Sequence, residues 1–389
     1  MPIKKKIGIL GSTGSVGKTT LDLISEFPKL FSVDLLVCNN QYDKILYQVK
    51  KFLPNFVYIQ DEITRNKIKA IKFSKKIIIL DNYQDLKKIL KKKKFDKIIH
   101  AISSFEGLKY AFNSLTITKQ LLIANKESII CGGKILLNKA KQNNCKITSI
   151  DSEHYCLSRS LNNCDNLNKI ETVYLTASGG PFLGLKRHFF AKASIKKVTN
   201  HPNWSMGNKI SVDSATLVNK FFEIIEAHLL FGIPLDKIKI KIHKQSLVHS
   251  AVVFKNGLVE LIMHDTIMTI PIRNSLFEEQ FYGQKNNFFR RKSLFSLDFS
   301  EKDLNQFDIV KLGNKILKKG HTSWILFNFF NDMLVKKFLN KEIFFYEIVN
   351  YLIKIFNKKS VLSYCSKKIH NQMDIKKTII FGEKVMDKI

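Results

Sequence analysis

Five side chains stand out by type and spacing. Asp151 and Glu153 follow the apolar run 146–150, which reads as a strand. Residues two apart at a strand end point the same way, and ligands of α/β sheets sit at the carboxyl ends of strands. Two carboxylates placed so can share a hard cation such as Mg²⁺ or Mn²⁺, although an Asp-x-Glu alone also describes a solvated turn. Further on, the stretch 213–226 reads as one capped helix, apolar around most of its circumference and so expected to be buried. Asn219 and Glu223 are four apart and share a face, with Lys220 beside them. A buried Lys and Glu need partners. One reading pairs them with each other as an internal ion pair. The other lets Lys220 and Asn219 hold a phosphate while Glu223 completes a three-carboxylate metal site.

A second kind of chemistry is written in backbone. Gly11-Ser12-Thr13-Gly14-Ser15-Val16-Gly17-Lys18-Thr19 follows a strand and opens a helix. Amide N–H groups at such a helix start bind phosphate. A P-loop needs four residues between its first Gly and Gly-Lys-Thr, but five separate Gly11 from Gly17, one too many. Read as G-x-x-G-x-x-G, a dinucleotide-fold variant, the run fits without adjustment. An NAD enzyme usually carries an acid at the end of the second strand, about 20 residues on. This chain has Cys38-Asn39-Asn40-Gln41 there, which favours NADP. A ligand-free tight turn is the plainer alternative.

Elements of two textures must position these groups. Over 1–150, apolar runs at 7–10, 33–37, 56–59, 76–80, 98–102, 121–124 and 147–150 read as strands, several with helical stretches between them, which predicts a parallel α/β sheet. From 151 to 277 polar motifs become dense, and 247–254 with 258–263 reads as a hairpin around Asn256-Gly257. Residues 278–308 read as a linker. Residues 309–389 lack Pro and place Trp324, Phe327, Leu334 and Phe338 at helical spacing, which predicts a small helical bundle. The expected fold is thus α/β, with an N-terminal Rossmann-like domain, a central α/β catalytic domain and a C-terminal helical bundle.

Composition narrows the function classes. The chain has 389 residues and a net charge of +31, which suggests nucleic acid. Only six of the 64 basic residues are Arg, the side chain favoured for base readout and phosphate clamping. The lysines are spread along most of the chain, as on a solvated surface of drifted composition, so no nucleic-acid partner is expected. No apolar run is long enough to span a membrane and no signal peptide is evident. The six scattered cysteines carry no metal spacing, so a reducing cytoplasmic setting is expected.

Taken together the motifs resemble the 1-deoxy-D-xylulose 5-phosphate reductoisomerase family. The matching text is Gly-Ser-Thr-Gly-Ser-Val-Gly (11–17), Leu-Ile-Ala-Asn-Lys-Glu-Ser (122–128), Asp-Ser-Glu-His (151–154), Ala-Ser-Gly-Gly-Pro-Phe (177–182), His-Pro-Asn-Trp-Ser-Met-Gly (201–207), Lys-Ile-Ser-Val-Asp-Ser-Ala-Thr (209–216) and Gln-Ser-Leu-Val-His-Ser (245–250). The resemblance implies rearrangement of the ketose phosphate, by a retro-aldol/aldol route or an α-ketol shift, then NADPH reduction to 2-C-methyl-D-erythritol 4-phosphate, an isoprenoid precursor. It implies a homodimer and a divalent cation (Mn²⁺, Mg²⁺ or Co²⁺) held by Asp151, Glu153 and Glu223. Ser178, Ser214, Asn219 and Lys220 match the phosphate grip. Lys126, Ser152 and His201 match contacts to the reacting carbons and their oxygens. Trp204 and Met206 lie on a closing loop near 200–210. Thr13, Gly14, Ser15, Val16, Asn125, Glu127 and Gly207 match NADPH contacts, with Asn39, Asn40 and Gln41 at the 2′-phosphate end. His249 reads as structural, and His154 is not a family ligand.

The chain also departs from the family pattern. Phe221 stands where the family has Gly in Asn-Lys-Gly-Leu-Glu, so the helix must repack beside the phosphate grip. Asn39-Asn40-Gln41 replaces a Gly and a basic residue, and Asn208 replaces an Arg. Thr266-Ile267-Met268-Thr269 replaces Pro-Asp-Met-Arg, and Ser103-Ser104-Phe105-Glu106 replaces a turn of small residues. Two other classes compete: a dehydrogenase with a nucleophilic cysteine, for which Cys131 and Cys156 are available, and a decayed enzyme kept for another role.

Overall fold

The computed structural model describes residues 3–162, 164–186, 192–278, 296–301, 304 and 306–388. The chain forms two units, one of residues 1–128, 136–151 and 268–281, the other of residues 129–135, 152–267 and 282–389.

Among the described residues, the first unit is a sheet of seven parallel strands: β1 (Lys5–Leu10), β2 (Phe31–Cys38), β3 (Phe56–Ile59), β4 (Ile78–Leu80), β5 (Phe95–His100), β6 (Thr118–Ile123) and β7 (Lys146–Ser149). Their order is β4-β3-β2-β1-β5-β6-β7, every neighbouring pair parallel. The helices between them are α1 (Ser15–Glu26), α2 (Tyr42–Phe52), α3 (Glu62–Lys69), α4 (Tyr83–Lys92), α5 (Leu108–Ser114) and α6 (Lys126–Gln142), which breaks at Gly133. Strands this apolar make sense only when both faces are covered, and Ile7, Ile9, Leu35, Leu36, Ile98, Ile99, Leu121 and Leu122 are all fully buried. Chain order reverses at β1 and β5, so the crevice beyond their carboxyl ends is the place for a ligand.

The second unit takes residues 129–135 of α6 and then α7 (Ser152–Asn162), β8 (Ile170–Ala177), α8 (Ile195–Thr199), α9 (Asn208–Ala215), α10 (Val218–Phe231), β9 (Ile238–Ile242), β10 (Val248–Phe254) and β11 (Val259–Met263). These strands make a second sheet, β11-β10-β8-β9, in which β10 and β11 form the expected antiparallel hairpin. The C-terminal part is helical: α12 (Ile309–Lys319), α13 (His321–Leu339), α14 (Phe345–Phe356), α15 (Lys359–Tyr364) and α16 (Gln372–Met386). Trp324, Phe327, Leu334 and Phe338 of α13 are all buried, the face that their spacing foretold.

The structure departs from the sequence reading in two places. The stretch 213–226 is two helices rather than one. Leu217 adopts φ 66°, a left-handed residue that ends α9, and its N–H is donated to the Ser214 carbonyl. Second, α11 (Thr269–Phe277) falls in the first unit, not in the catalytic segment 151–277. Phe277 packs edge-on against Phe27 and Phe31, and Arg273 pairs with Glu26. Buried Lys97 fastens its far end, donating to the Ser275 carbonyl and pairing with Glu278. Most of the expected linker, 279–295, 302, 303 and 305, lies outside the described residues.

Candidate active site

In the first unit, the glycine loop leaves β1 and enters α1. Gly11 sits at φ 90°, and a Cβ there would lie 2.5 Å from the Ala101 carbonyl oxygen. A Cβ at Gly17 would lie 2.4 Å from the Gly11 oxygen. Both glycines are therefore demanded by the fold. Gly14 is not: its φ is −75° and a Cβ would meet its nearest atom at an ordinary 3.5 Å. A glycine that its own fold does not require suits close approach by a ligand. Gly14 is also the N-cap of α1 and supplies no side-chain cap, so the amides of Ser15 and Val16 open the helix as donors toward an anion. Ser12 and Thr13 are buried beneath this turn.

Asn39, Asn40 and Gln41 are exposed at the end of β2. The nearby acid, Asp61, caps α3 by accepting the Thr64 N–H at 2.7 Å. That carboxylate is committed to a helix and belongs to the next strand's turn. On the other side of β1, Asn125 caps α6, accepting the Ser128 N–H while donating to the Ser104 carbonyl and to Glu127. Ser104, in the departed turn, has φ 76° and ψ 167°, a region that suits glycine. Lys126 is 4% exposed and pairs with Asp151 at 2.7 Å.

One of the boundaries between the units falls between Asp151 and Ser152, and the chain itself holds Asp151 two residues from Glu153. Glu153 lies in the first turn of α7, where the helix dipole favours a carboxylate, and accepts a hydrogen bond from Ser152 Oγ at 2.6 Å. Asp151, Glu153 and Glu223 each offer an oxygen, all within 4.8 Å of one another. Lys220 is buried between two of them, 2.7 Å from Glu153 and 2.5 Å from Glu223. Burial works against its charge, but the two carboxylates outweigh that and hold its pKa above the usual lysine value. Asn219 donates its amide N–H to the other Glu223 oxygen. The break at Leu217 separates this group from half-exposed Ser214, which ends up on α9.

Beside this cluster, β8 ends in Ser178-Gly179-Gly180, both glycines at positive φ. Ser178 Oγ accepts the Gly180 N–H and lies 2.8 Å from His201 Nε2. His201 Nδ1 accepts the backbone N–H groups of Asn203 and Trp204 at 3.2 and 3.1 Å. Nδ1 is therefore bare and Nε2 carries the proton, donated to Ser178 Oγ, which keeps its own hydroxyl proton for a ligand. Burial pushes the His201 imidazole down to about 4, so it is neutral at pH 7. Trp204 and Met206 are half-buried and Gly207 is exposed at the N-cap of α9.

Several residues outside the expected ligand set support this arrangement, His249 in the structural role read from the sequence. Asn203 fastens the 201–207 segment by donating to the Lys244 carbonyl and Ser246 Oγ. His249 packs edge-on against Trp204 and stacks on His264. His154 is a strut, with Nε2 3.0 Å from the Glu223 carbonyl and Nδ1 3.5 Å from Glu226. Lys209 bridges Asp213 and Asp332, and Asn331 donates to Asp213, tying α9 to α13. Lys209 and Asp213 share helical i,i+4 spacing, but nothing in the spacing signals Asn331 and Asp332, which lie more than a hundred residues away. Cys131 and Cys156 are fully buried, which leaves neither placed as a nucleophile. No described helix is long and apolar enough to cross a membrane.

Comparison with known proteins gives one consistent picture. Family models match residues 7–133 (1-deoxy-D-xylulose 5-phosphate reductoisomerase), 147–231 (1-deoxy-D-xylulose 5-phosphate reductoisomerase C-terminal domain) and 263–380 (DXP reductoisomerase C-terminal domain). The chain is 39% identical to the 1-deoxy-D-xylulose 5-phosphate reductoisomerase of Pelagibacter ubique (strain HTCC1062) over 94% of this chain and 95% of that one. It is 37% identical to that of Wolbachia pipientis wMel over 89% and 88%. Among solved structures it resembles a DOX-P reductoisomerase in complex with NADPH, fosmidomycin and magnesium, with a TM-score of 0.90 and 29% identity over 98% of this chain and 97% of that one. The Zymomonas mobilis enzyme in complex with NADPH superimposes with a TM-score of 0.83 at 25% identity, covering 98% and 97%.

Proposed function

The chain belongs to the 1-deoxy-D-xylulose 5-phosphate reductoisomerase family, and from that premise we propose how its own residues carry the reaction. It is an NADPH- and divalent-metal-dependent oxidoreductase that rearranges and reduces 1-deoxy-D-xylulose 5-phosphate to 2-C-methyl-D-erythritol 4-phosphate in isoprenoid precursor synthesis. The observation that supports a metal-assisted route in this chain is the trio Asp151, Glu153 and Glu223, an all-oxygen donor set suited to a hard cation. When bound, the cation acts as a Lewis acid on the substrate oxygens. NADPH, when bound, supplies the hydride that reduces the rearranged aldehyde.

The remaining work falls to the protein. Lys220, Asn219, Ser178 and Ser214 bind the phosphate. Lys220 changes partners as substrate arrives, from Glu153 and Glu223 alone to a set that includes the dianion. Neutral His201, held in one tautomer by the Asn203 and Trp204 amides, donates its one N–H to Ser178 and so leaves the Ser178 hydroxyl proton aimed at the substrate. Lys126, paired with Asp151, and Ser152, bonded to Glu153, orient the reacting oxygens. Trp204 and Met206 cover the substrate and exclude water. Thr13, Gly14, Ser15 and Val16 seat the cofactor phosphates, with Asn125, Glu127 and Gly207 toward its reactive end and Asn39, Asn40 and Gln41 toward its 2′-phosphate. Residues 151–267 carry the substrate chemistry and 309–389 brace it. The protein works as a homodimer in the cytoplasm and accepts Mn²⁺ or Co²⁺ as well as Mg²⁺.

The test is NADPH oxidation with 1-deoxy-D-xylulose 5-phosphate, with and without cation, and with NADH in place of NADPH. Turnover that needs the cation and prefers NADPH is expected. Cation-independent turnover would sink the carboxylate site, and equal or tighter NADH binding would sink the reading of 39–41. Sedimentation of the purified protein decides the dimer.

A further inference from the structure

On α10, Phe221 stands between the phosphate ligand Lys220 and the metal ligand Glu223. A helix turns by 100° per residue, so Phe221 projects from the side roughly opposite Asn219 and Glu223. Its ring is 1% exposed and lies directly over Gly313 of α12. A Cβ added to Gly313 would come within 2.3, 2.4 and 2.5 Å of three Phe221 ring atoms. Gly313 has helical backbone, so no unusual φ explains a glycine in mid-helix, where it is less favourable than Ala. What the position does is let the ring in. Phe222, on the next face, is fixed edge-on against Phe327 at 5.3 Å, so α10 has no slack to rotate away from α12.

We infer that Phe221 and Gly313 form a ring-in-socket lock that positions the α10 ligands. Phe221 is a positioning residue: it presses on α12 from behind and so fixes how far Asn219, Lys220 and Glu223 reach toward cation and phosphate. Relieving a 2.3 Å contact to an ordinary one moves the ring by about 1 Å, and a displacement of about 1 Å at a catalytic group can cost about a hundredfold in rate. The inference rests on α10 being the helix that carries metal and phosphate ligands.

The decisive variants are Gly313→Ala, Phe221→Ala and the double variant. In Gly313→Ala, kcat/KM for the sugar phosphate should fall at least about tenfold, and Mn²⁺ binding to the cofactor-free protein should weaken. The NADPH dissociation constant should stay within about twofold of wild type, because the glycine loop is built by other elements. Adding Phe221→Ala should restore much of both losses, since contacting residues couple. A double variant no better than Gly313→Ala alone would overturn the lock. So would wild-type kcat/KM and Mn²⁺ affinity in a Gly313→Ala protein that has merely lost thermal stability. If Gly313→Ala does not fold, Phe221→Leu carries the test: lowered kcat/KM and Mn²⁺ affinity with intact NADPH binding support the lock, and wild-type values refute it. A wild-type protein inactive on the sugar phosphate would instead sink the assignment of α10 itself.

Discussion

The turn after β1 and the first two turns of α10 are both proposed to bind anions, but they are built from opposite materials. The glycine turn is backbone: its shape is set by two glycines that cannot carry a Cβ, and its donors are amides at an uncapped helix start. The α10 cluster is side chain, a lysine buried between two carboxylates with an asparagine bonded to one of them. A backbone site carries no net charge and stays formed when empty. A buried ionic site must neutralise itself when empty, and here Lys220 and Glu223 do so with each other and with Glu153. The internal ion pair and the phosphate grip, two rival readings of the sequence, are thus both compatible with one geometry. The ion pair is what Lys220 makes before ligands come.

Charge substitutions in α10 should break the comparison most violently. Glu223→Gln keeps the shape and the Asn219 hydrogen bond but removes one anionic oxygen donor. Lewis-acid stabilisation is worth several kcal/mol, so turnover should fall by at least about a hundredfold while the melting temperature changes little. Normal turnover with normal Mn²⁺ dependence would refute the three-carboxylate site.

Lys220→Ala is the next largest. Charge-assisted bonds to phosphate are worth about 1.5–3 kcal/mol each, so kcat/KM for substrate should worsen at least about tenfold with NADPH affinity unchanged. The variant also leaves Glu153 and Glu223 facing each other, which lowers stability without cation. Added Mn²⁺ should recover that stability, because the cation binds the folded protein. A large stability loss with near-normal kcat/KM per folded molecule would leave Lys220 a structural partner only.

Within the glycine turn the contrast sharpens to single positions. Gly14→Ala should fold normally and bind NADPH about tenfold or more weakly, since the Cβ has room in the protein but not against a closely approaching phosphate. Gly11→Ala should instead lose stability by about 2 kcal/mol or more, because its Cβ meets a carbonyl oxygen and its φ is left-handed. Melting temperatures and NADPH titrations on both variants decide this; a stable Gly11→Ala protein would show that the turn can relax.

The two regions also differ in how far they can be read without coordinates. Spacing alone announces the glycine turn, because tight turns leave so few residue types possible. The carboxylates and Lys220 are announced by residue type, which is scarce on buried helices. What supports them is not. Leu217 breaks the helix at a left-handed residue that has no glycine or asparagine to mark it. Phe221 reads as a departure until Gly313, 92 residues away, shows where the ring goes. The Lys209–Asp213–Asp332 bridge and the His154–Glu226 pair likewise join distant positions. Such pairings are decided by packing, which local patterns do not encode.

The smallest effect at neutral pH, and the one that treats both regions alike, is acid lability. Each unit buries a histidine whose burial disfavours its charged form. In the first, burial pushes His100 down to about 4; in the second, burial together with neighbouring His264 pushes His249 down to about 3. Both folded values lie below the ordinary value near 6.5, so between those limits the unfolded chain binds more protons. The stability these residues contribute is therefore complete above about pH 6.5 and is lost as pH falls toward 4. By pH 5.5 the loss is about 1 kcal/mol per histidine. The melting temperature should be flat from pH 7 to 8 and fall below 6.5. His249→Asn should flatten part of the slope and disturb Trp204, which packs on it, whereas His100→Asn should flatten another part and leave the substrate KM alone. A melting temperature that holds steady from pH 7 to 5 would mean that these imidazoles find protons, and partners for them, inside the folded protein.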